Sequence, residues 1–224
     1  MKQFLRQNSV FIALSLMLLV ALGLALLFLP KGDLHLLLCD RHTPLRDIFY
    51  RYYTRIAEFL PYIACVLVLL FSSIGNAALA SACVACSELT TQIIKHIVNA
   101  PRPVTWFAAN MPDVQLPLVE DVRMNHWFSF PSGHTTSFFA LFFALSILAT
   151  EHLSEKRSIS VAVQLLLFML AALGGYSRIY LCQHFAADVF GGIAVGLTIS
   201  VLCYAFFRRY EGQKWYNFRL FTKK

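Results

Sequence analysis

The sequence predicts an all-α fold: an integral membrane bundle of six transmembrane helices with an amphipathic helix on its outer face. Three observations point there. Hydrophobic residues make up 58% of the 224 residues, whereas soluble domains run at about 45–50%. Charged residues reach only 14%, and the mean hydropathy is +0.62. Six apolar runs approach the roughly 20 residues that a helical span needs. This composition excludes a disordered chain and an ordinary soluble enzyme. No repeat, low-complexity tract or linker divides the runs, so residues 1–224 are read as a single membrane-embedded domain.

The first run, Ser9 to Leu29, closes on Pro30-Lys31-Gly32. Its basic front resembles a signal peptide, but it is long for an apolar signal core and lacks a small-x-small cleavage site. A retained helix is expected. Residues 43–60 place Leu45, Ile48, Phe49, Tyr52, Ile56 and Phe59 at helical spacing, with Arg46, Arg51 and Arg55 mostly off that stripe. That pattern suits a helix lying on lipid, opened by Thr43 as N-cap and Pro44 as first helical residue. An extension of the second span fits it equally. The remaining spans run from about Leu60 to Gly75, Ala77 to Val98, His134 to Thr150, Ile159 to Tyr176 and Phe185 to Phe207.

The net charge of +7 is placed next to these spans. Lys2 and Arg6 precede the first. Arg208, Arg209, Lys214, Arg219, Lys223 and Lys224 follow the last, and Lys156 and Arg157 share one short loop. Basic residues beside apolar spans mark the cytoplasmic side and attract anionic lipid heads. No nucleic-acid partner is needed to explain them. Six spans put both termini and the Glu151–Ser158 loop inside, and segments 31–58, 99–133 and 177–184 outside. Of six cysteines, Cys83 and Cys86 form a C-x-x-C within a span, with no second pair to complete a metal site, and read as packing residues. Cys39 and Cys182 both fall in outer segments; the sequence leaves open whether they meet.

Charges near apolar helix ends are expensive and mark functional sites. The third span ends in Lys95, followed seven residues later by Arg102-Pro103. Two cations two turns apart can share a face, and the arginine fork suits phosphate oxygens; snorkelling to lipid heads is the plain alternative. The fourth span opens Pro131-Ser132-Gly133-His134. Serine there caps a helix whose free N–H groups bind anions, glycine permits close approach, and histidine can give a proton near neutral pH. Arg178 follows Ser177, and His184 and Asp188 stand one turn apart, so the carboxylate can orient the imidazole. Glu88, Thr91, Gln92 and Lys95 form a stripe read as interhelical polar packing or an ion pair. Carboxylate clusters that would hold Mg²⁺ are absent from these segments, so neither metal nor cofactor is expected.

The pattern resembles the type 2 phosphatidic acid phosphatase superfamily, whose tripartite motif reads K-x6-R-P, P-S-G-H and S-R-x5-H-x3-D. All three stand here in order: Lys95 to Arg102-Pro103, Pro131 to His134, and Ser177-Arg178 to His184 and Asp188. The resemblance implies that His184 is the nucleophile, Asp188 its orienting partner, and His134 the proton donor to the leaving group. It implies that Lys95, Arg102, Ser132, Gly133 and Arg178 hold the phosphate. Cys182 and Phe185-Ala186-Ala187 depart from the glycine and tyrosine-proline common in relatives. The implied function is metal-independent hydrolysis of a membrane lipid phosphate or diphosphate on the outer face of a bacterial inner membrane. Undecaprenyl diphosphate and lipid A are favoured; phosphatidylglycerophosphate and phosphatidate remain open. So do phosphoryl transfer to another acceptor and binding or transport of a headgroup without cleavage. In residues 104–130, Trp106, Phe107, Met111, Leu116, Leu118, Trp127 and Phe128 suit either an acyl-chain guide or an aromatic belt, and His126 reads as a surface histidine.

Overall fold

The structure is a computed structural model that describes residues 2–219, the side chain of Phe59 excepted; Lys223 and Lys224 of the basic tail lie outside them. Its helices are α1 (Lys2–Gln7), α2 (Ser9–Phe28), α3 (Lys31–Cys39), α4 (Pro44–Tyr53), α5 (Phe59–Leu70), α6 (Ile74–Val98), α7 (Pro103–Asn110), α8 (Gly133–His152), α9 (Arg157–Tyr180) and α10 (Ala186–Phe207). Short 3-10 turns occupy Thr54–Ala57 and Arg208–Tyr210. No strand forms among the described residues.

A helix that is apolar around its whole circumference belongs in the middle of a bundle. α8 is such a helix: nearly every side chain from Gly133 to Thr150 is buried, and α6, α9 and α10 pack around it. Lipid tails are as apolar as leucine, so helices here associate by close approach of small residues. A Cβ added at Gly192 of α10 would stand 2.8 Å from the Ser132 carbonyl oxygen, and one at Gly196 would stand 2.8 Å from that of Thr136. These two glycines let α10 lie directly on α8. The start of one helix is thereby held against the start of the other, where the motif histidines sit.

Two polar residues near the start of α2 are matched by long-range hydrogen bonds. Gln164 of α9 accepts the Val10 and Phe11 N–H groups through Oε1 and donates to the Gln7 carbonyl. It thus satisfies donors that the start of α2 leaves without intrahelical partners. Asn8 Oδ1 accepts from the hydroxyls of Ser146 and Thr150.

Among the described residues five helices are long and apolar enough to cross a membrane. A sixth crossing requires the pair Pro44–Ala57 and Leu60–Leu70, bent by 52°, to act as one span. The second span is therefore shorter than the sequence suggests. α5 has 12 residues, about 18 Å of helix against a hydrocarbon core of about 30 Å. It stops because the chain breaks at residues 71–73 and Ser73 caps α6, its side chain accepting the Asn76 N–H. The amphipathic segment begins as read, with Thr43 accepting the Arg46 N–H and Pro44 at the first turn. It is not a straight extension of α5, since the chain turns at Glu58. Its apolar stripe of Leu45, Ile48, Phe49 and Tyr52 is exposed, as a lipid-facing surface requires. α7, within the stretch read as a loop, is helical because Pro103 fixes φ at a first helical position.

Candidate active site

α6 ends where Asn99 adopts a left-handed φ of 42° and donates its N–H to the Lys95 carbonyl at 2.9 Å. Pro101 and Pro103 bar continuation. That stop leaves Lys95 buried in the last turn and Arg102 as the N-cap of α7. Arg102 Nε donates to the Trp127 carbonyl at 3.0 Å, and its Nη1 donates to the Gln183 carbonyl and Oε1 at 3.3 and 3.2 Å. Arg178, in the last turn of α9, donates through Nη1 to Thr54 Oγ1 at 2.5 Å. Its Nε is buried with no partner.

Ser132 caps α8 as its sequence position suggests. Its Oγ accepts the Thr135 N–H at 3.4 Å and the Thr135 hydroxyl at 2.9 Å. That side chain is turned into the helix start, and the Ser132 N–H donates to the Asp188 carbonyl. Gly133 follows, and a Cβ there would lie 3.5 Å from the Glu88 carboxylate and 3.7 Å from Lys95 Nζ. Glycine thus keeps open the space between them.

His184 lies in the turn between α9 and α10, with Nδ1 3.3 Å from Asp188 Oδ2. The same oxygen accepts the Ser129 hydroxyl at 2.5 Å and the Phe185 N–H at 2.8 Å. Asp188 is therefore both the cap of α10 and the partner of the imidazole. Burial pushes the His184 imidazole down to about 3, against the opposing pull of the Asp188 hydrogen bond. A neutral imidazole facing a carboxylate through Nδ1 carries its proton there, and Nε2 is left with a free lone pair.

These ends surround a cavity of about 480 Å³ lined by Lys95, Arg102, Gly133, His134, Arg178 and His184. Asp188 and Ser132 stand behind this lining. Two carboxylates, Glu58 and Glu88, line it together with the three cations, and Glu88 and Lys95 both approach Gly133. One wall is apolar, built from Ile56, Ala57, Tyr62, Val84, Ala85 and Leu141. The arrangement can hold a tetrahedral oxyanion on a lipid tail, with a neutral imidazole nitrogen on one side and a second histidine at its edge.

Ser129, Gln183 and Thr54 hold motif residues and were not singled out from the sequence. Their only signal was adjacency for the first two, which flank P-S-G-H and His184. Thr54 has none, since it approaches Arg178 only through tertiary packing. Glu88 accepts from Ser137 on α8 at 2.5 Å, which makes the stripe interhelical, while Glu88, Gln92 and Lys95 also line the cavity. His126 is paired with Thr105 at the exposed surface. Cys83 is buried with its Sγ 3.9 Å from the Ser200 carbonyl, whereas Cys86 is exposed. Of the loop aromatics, Phe107 is buried against Phe185 while Trp127 and Phe128 are exposed.

The chain is similar to phosphatidylglycerophosphatase B of Bacillus subtilis, 33% identical over 101 residues that are 45% of this chain and 47% of that protein. It is 34% identical over 129 residues to lipid phosphate phosphatase 2 of Arabidopsis thaliana, 51% of this chain and 44% of the relative. It thus spans about half the length of the curated relatives it matches. Two crystal structures share the fold. One is Aquifex aeolicus LpxE, with a TM-score of 0.64, 24% identity and coverage of 80% of this chain and 96% of that one. The other is a transmembrane PAP2 type phosphatidylglycerolphosphate phosphatase from Bacillus subtilis, with a TM-score of 0.67, 18% identity and coverage of 93% and 99%. The PAP2 superfamily model matches residues 76–211. That stretch is more than half of the chain and takes in every motif residue from Lys95 to Asp188, so the chain belongs to the PAP2 superfamily.

Proposed function

We propose that this protein is a metal-independent lipid phosphate phosphatase that works as one membrane domain through a phosphohistidine on His184. The observation that carries this reading is the cavity itself. Three cations and two histidines line it, and His184, which burial keeps neutral, is the one whose ring is backed by a carboxylate. Lys95, Arg102 and Arg178 would clamp the phosphate oxygens and offset the charge that develops on them. His184 Nε2 attacks phosphorus as the bond to the lipid oxygen breaks, and His134 gives that oxygen its proton. Asp188 holds the Nδ1 proton and stabilises the cationic phosphoimidazole. Water then attacks phosphorus and gives its proton to His134, the N–P bond breaks, and inorganic phosphate leaves. With a diphosphate the leaving group is the lipid monophosphate.

The substrate is a lipid bearing a terminal phosphate or diphosphate, because the cationic end of the cavity meets an apolar wall. Undecaprenyl diphosphate and lipid A phosphate are the first to test, beside the phosphatidylglycerophosphate in the Bacillus relative's name. The basic flanks Lys2, Arg6, Arg208 and Arg209 support cytoplasmic termini in an inner membrane, with the cavity facing outward. The deciding experiment measures phosphate release from this lipid panel by the detergent-purified protein beside His184→Ala. Release that vanishes in the variant is expected. Folded wild type that releases nothing, or a variant that keeps full activity, would overturn the reading.

A further inference from the structure

His35 and Cys39 stand one turn apart on α3 and so share a face. Cys182 reaches the same place from the turn between α9 and α10. One donor atom from each lies within 4.8 Å of the other two. All three residues are buried, at 1%, 1% and 0% exposure.

A second observation concerns His35 alone. Neither of its ring nitrogens has a hydrogen-bond partner, although buried polar groups are almost always paired. The rings of Phe185 and Phe107 enclose it, with centroids at 5.1 and 5.6 Å. An apolar cage around an unpaired imidazole makes sense if something in the cluster takes the nitrogen lone pair. Cys182 is also held at a φ of 51°, a conformation that non-glycine residues seldom adopt and that persists only where surroundings impose it.

An imidazole and two thiols form a soft nitrogen–sulfur donor set, which suits Zn²⁺ and does not suit Mg²⁺ or Ca²⁺. We propose that His35, Cys39 and Cys182 form a structural Zn²⁺ site that ties α3 to the turn carrying His184. The two thiols release their protons as the Zn–S bonds form, no oxidant takes part, and water completes the tetrahedron. Cys182 is two residues from His184 and next to Gln183, which holds Arg102. The ion would therefore fix the backbone of the candidate nucleophile without touching the phosphate. The site stands apart from the proposed chemistry, and its test reads metal, not turnover.

The test loads the full-length detergent-purified protein with Zn²⁺, removes excess, and counts metal by mass spectrometry. About one ion per chain is expected in wild type and in a Cys83→Ser/Cys86→Ser control, and below about a tenth in His35→Ala, Cys39→Ser and Cys182→Ser. Chelation should lower the unfolding temperature of wild type, and added Zn²⁺ should restore it. Should the variants fail to fold, wild type still decides the matter. Thiol titration of the denatured, unreduced, metal-stripped protein should find all six cysteines free. Four free thiols with a Cys39–Cys182 cross-linked peptide would establish a disulfide and overturn the proposal. So would wild type that retains no Zn²⁺, or undiminished Zn²⁺ in Cys39→Ser/Cys182→Ser.

Discussion

Replacing Ser129 with alanine removes one of the three donors that Asp188 Oδ2 accepts, leaving the Phe185 N–H and His184 Nδ1. A hydrogen bond to a charged acceptor contributes about 1.5–3 kcal/mol. Ser129 is fully buried, so no water readily replaces the hydroxyl. On the proposed mechanism Asp188 is most needed when His184 becomes a phosphorylated cation, so the loss falls mainly on the transition state. At about 1.4 kcal/mol per factor of ten, kcat should fall roughly 10- to 100-fold. KM should hold, because Ser129 does not line the cavity. Ser129→Thr keeps the hydroxyl and should recover most of the rate, which loss of packing alone would not predict. The assay is steady-state phosphate release from a short-chain lipid phosphate, with thermal unfolding measured beside it. A folded Ser129→Ala protein with kcat within about twofold of wild type would refute the argument that this bond supports the His184–Asp188 pair.

Acid should destabilise the fold through His184. Its imidazole sits at about 3 in the folded chain and at about 6.5 when unfolded. The unfolded chain therefore binds a proton that the folded chain refuses: stability is complete above pH about 6.5 and falls by about 1.4 kcal/mol per unit toward pH about 3. His184→Gln should flatten the decline in unfolding temperature between pH 7 and 5, and an unchanged slope would contradict the assignment. Gly192→Ala should cost about 1–3 kcal/mol, since its Cβ would meet the backbone oxygen of Ser132 at 2.8 Å and push the start of α8 aside. An unfolding temperature and rate equal to wild type would show that this approach is not tight. Vanadate, which adopts the five-coordinate phosphoryl geometry, should inhibit, while omitting Mg²⁺ should leave the initial rate unchanged. Full activity in millimolar vanadate, or an absolute Mg²⁺ requirement, would count against the histidine route.

Legibility in the sequence followed the range of the forces involved. Helix ends set by local chemistry were readable: Thr43-Pro44 opens α4, Ser132 opens α8, and the prolines after Asn99 end α6. Hydropathy located the long spans for the same reason. It overstated the second one, because apolar residues continue past Leu70 while the chain itself turns at residues 71–73. The motif residues were legible one by one, and six of them line one cavity. What supports them was not. Ser129, Gln183 and Thr54 act through contacts between segments far apart in the chain, and an isolated serine, glutamine or threonine carries no periodic signal. The meeting of His35 and Cys39 with Cys182 was hidden likewise, since it depends on where α3 lands beside the turn after α9.

The single oxygen of Asp188 that receives three donors has an implication for how such chains diverge. Because it also closes the first turn of α10, a descendant that lost His184 and its chemistry would still need that carboxylate to begin the helix. Inactive offshoots should keep the aspartate long after the histidine has drifted. In a chain already known to share this fold, an aspartate kept there without the histidine would report the helix start and say nothing about turnover.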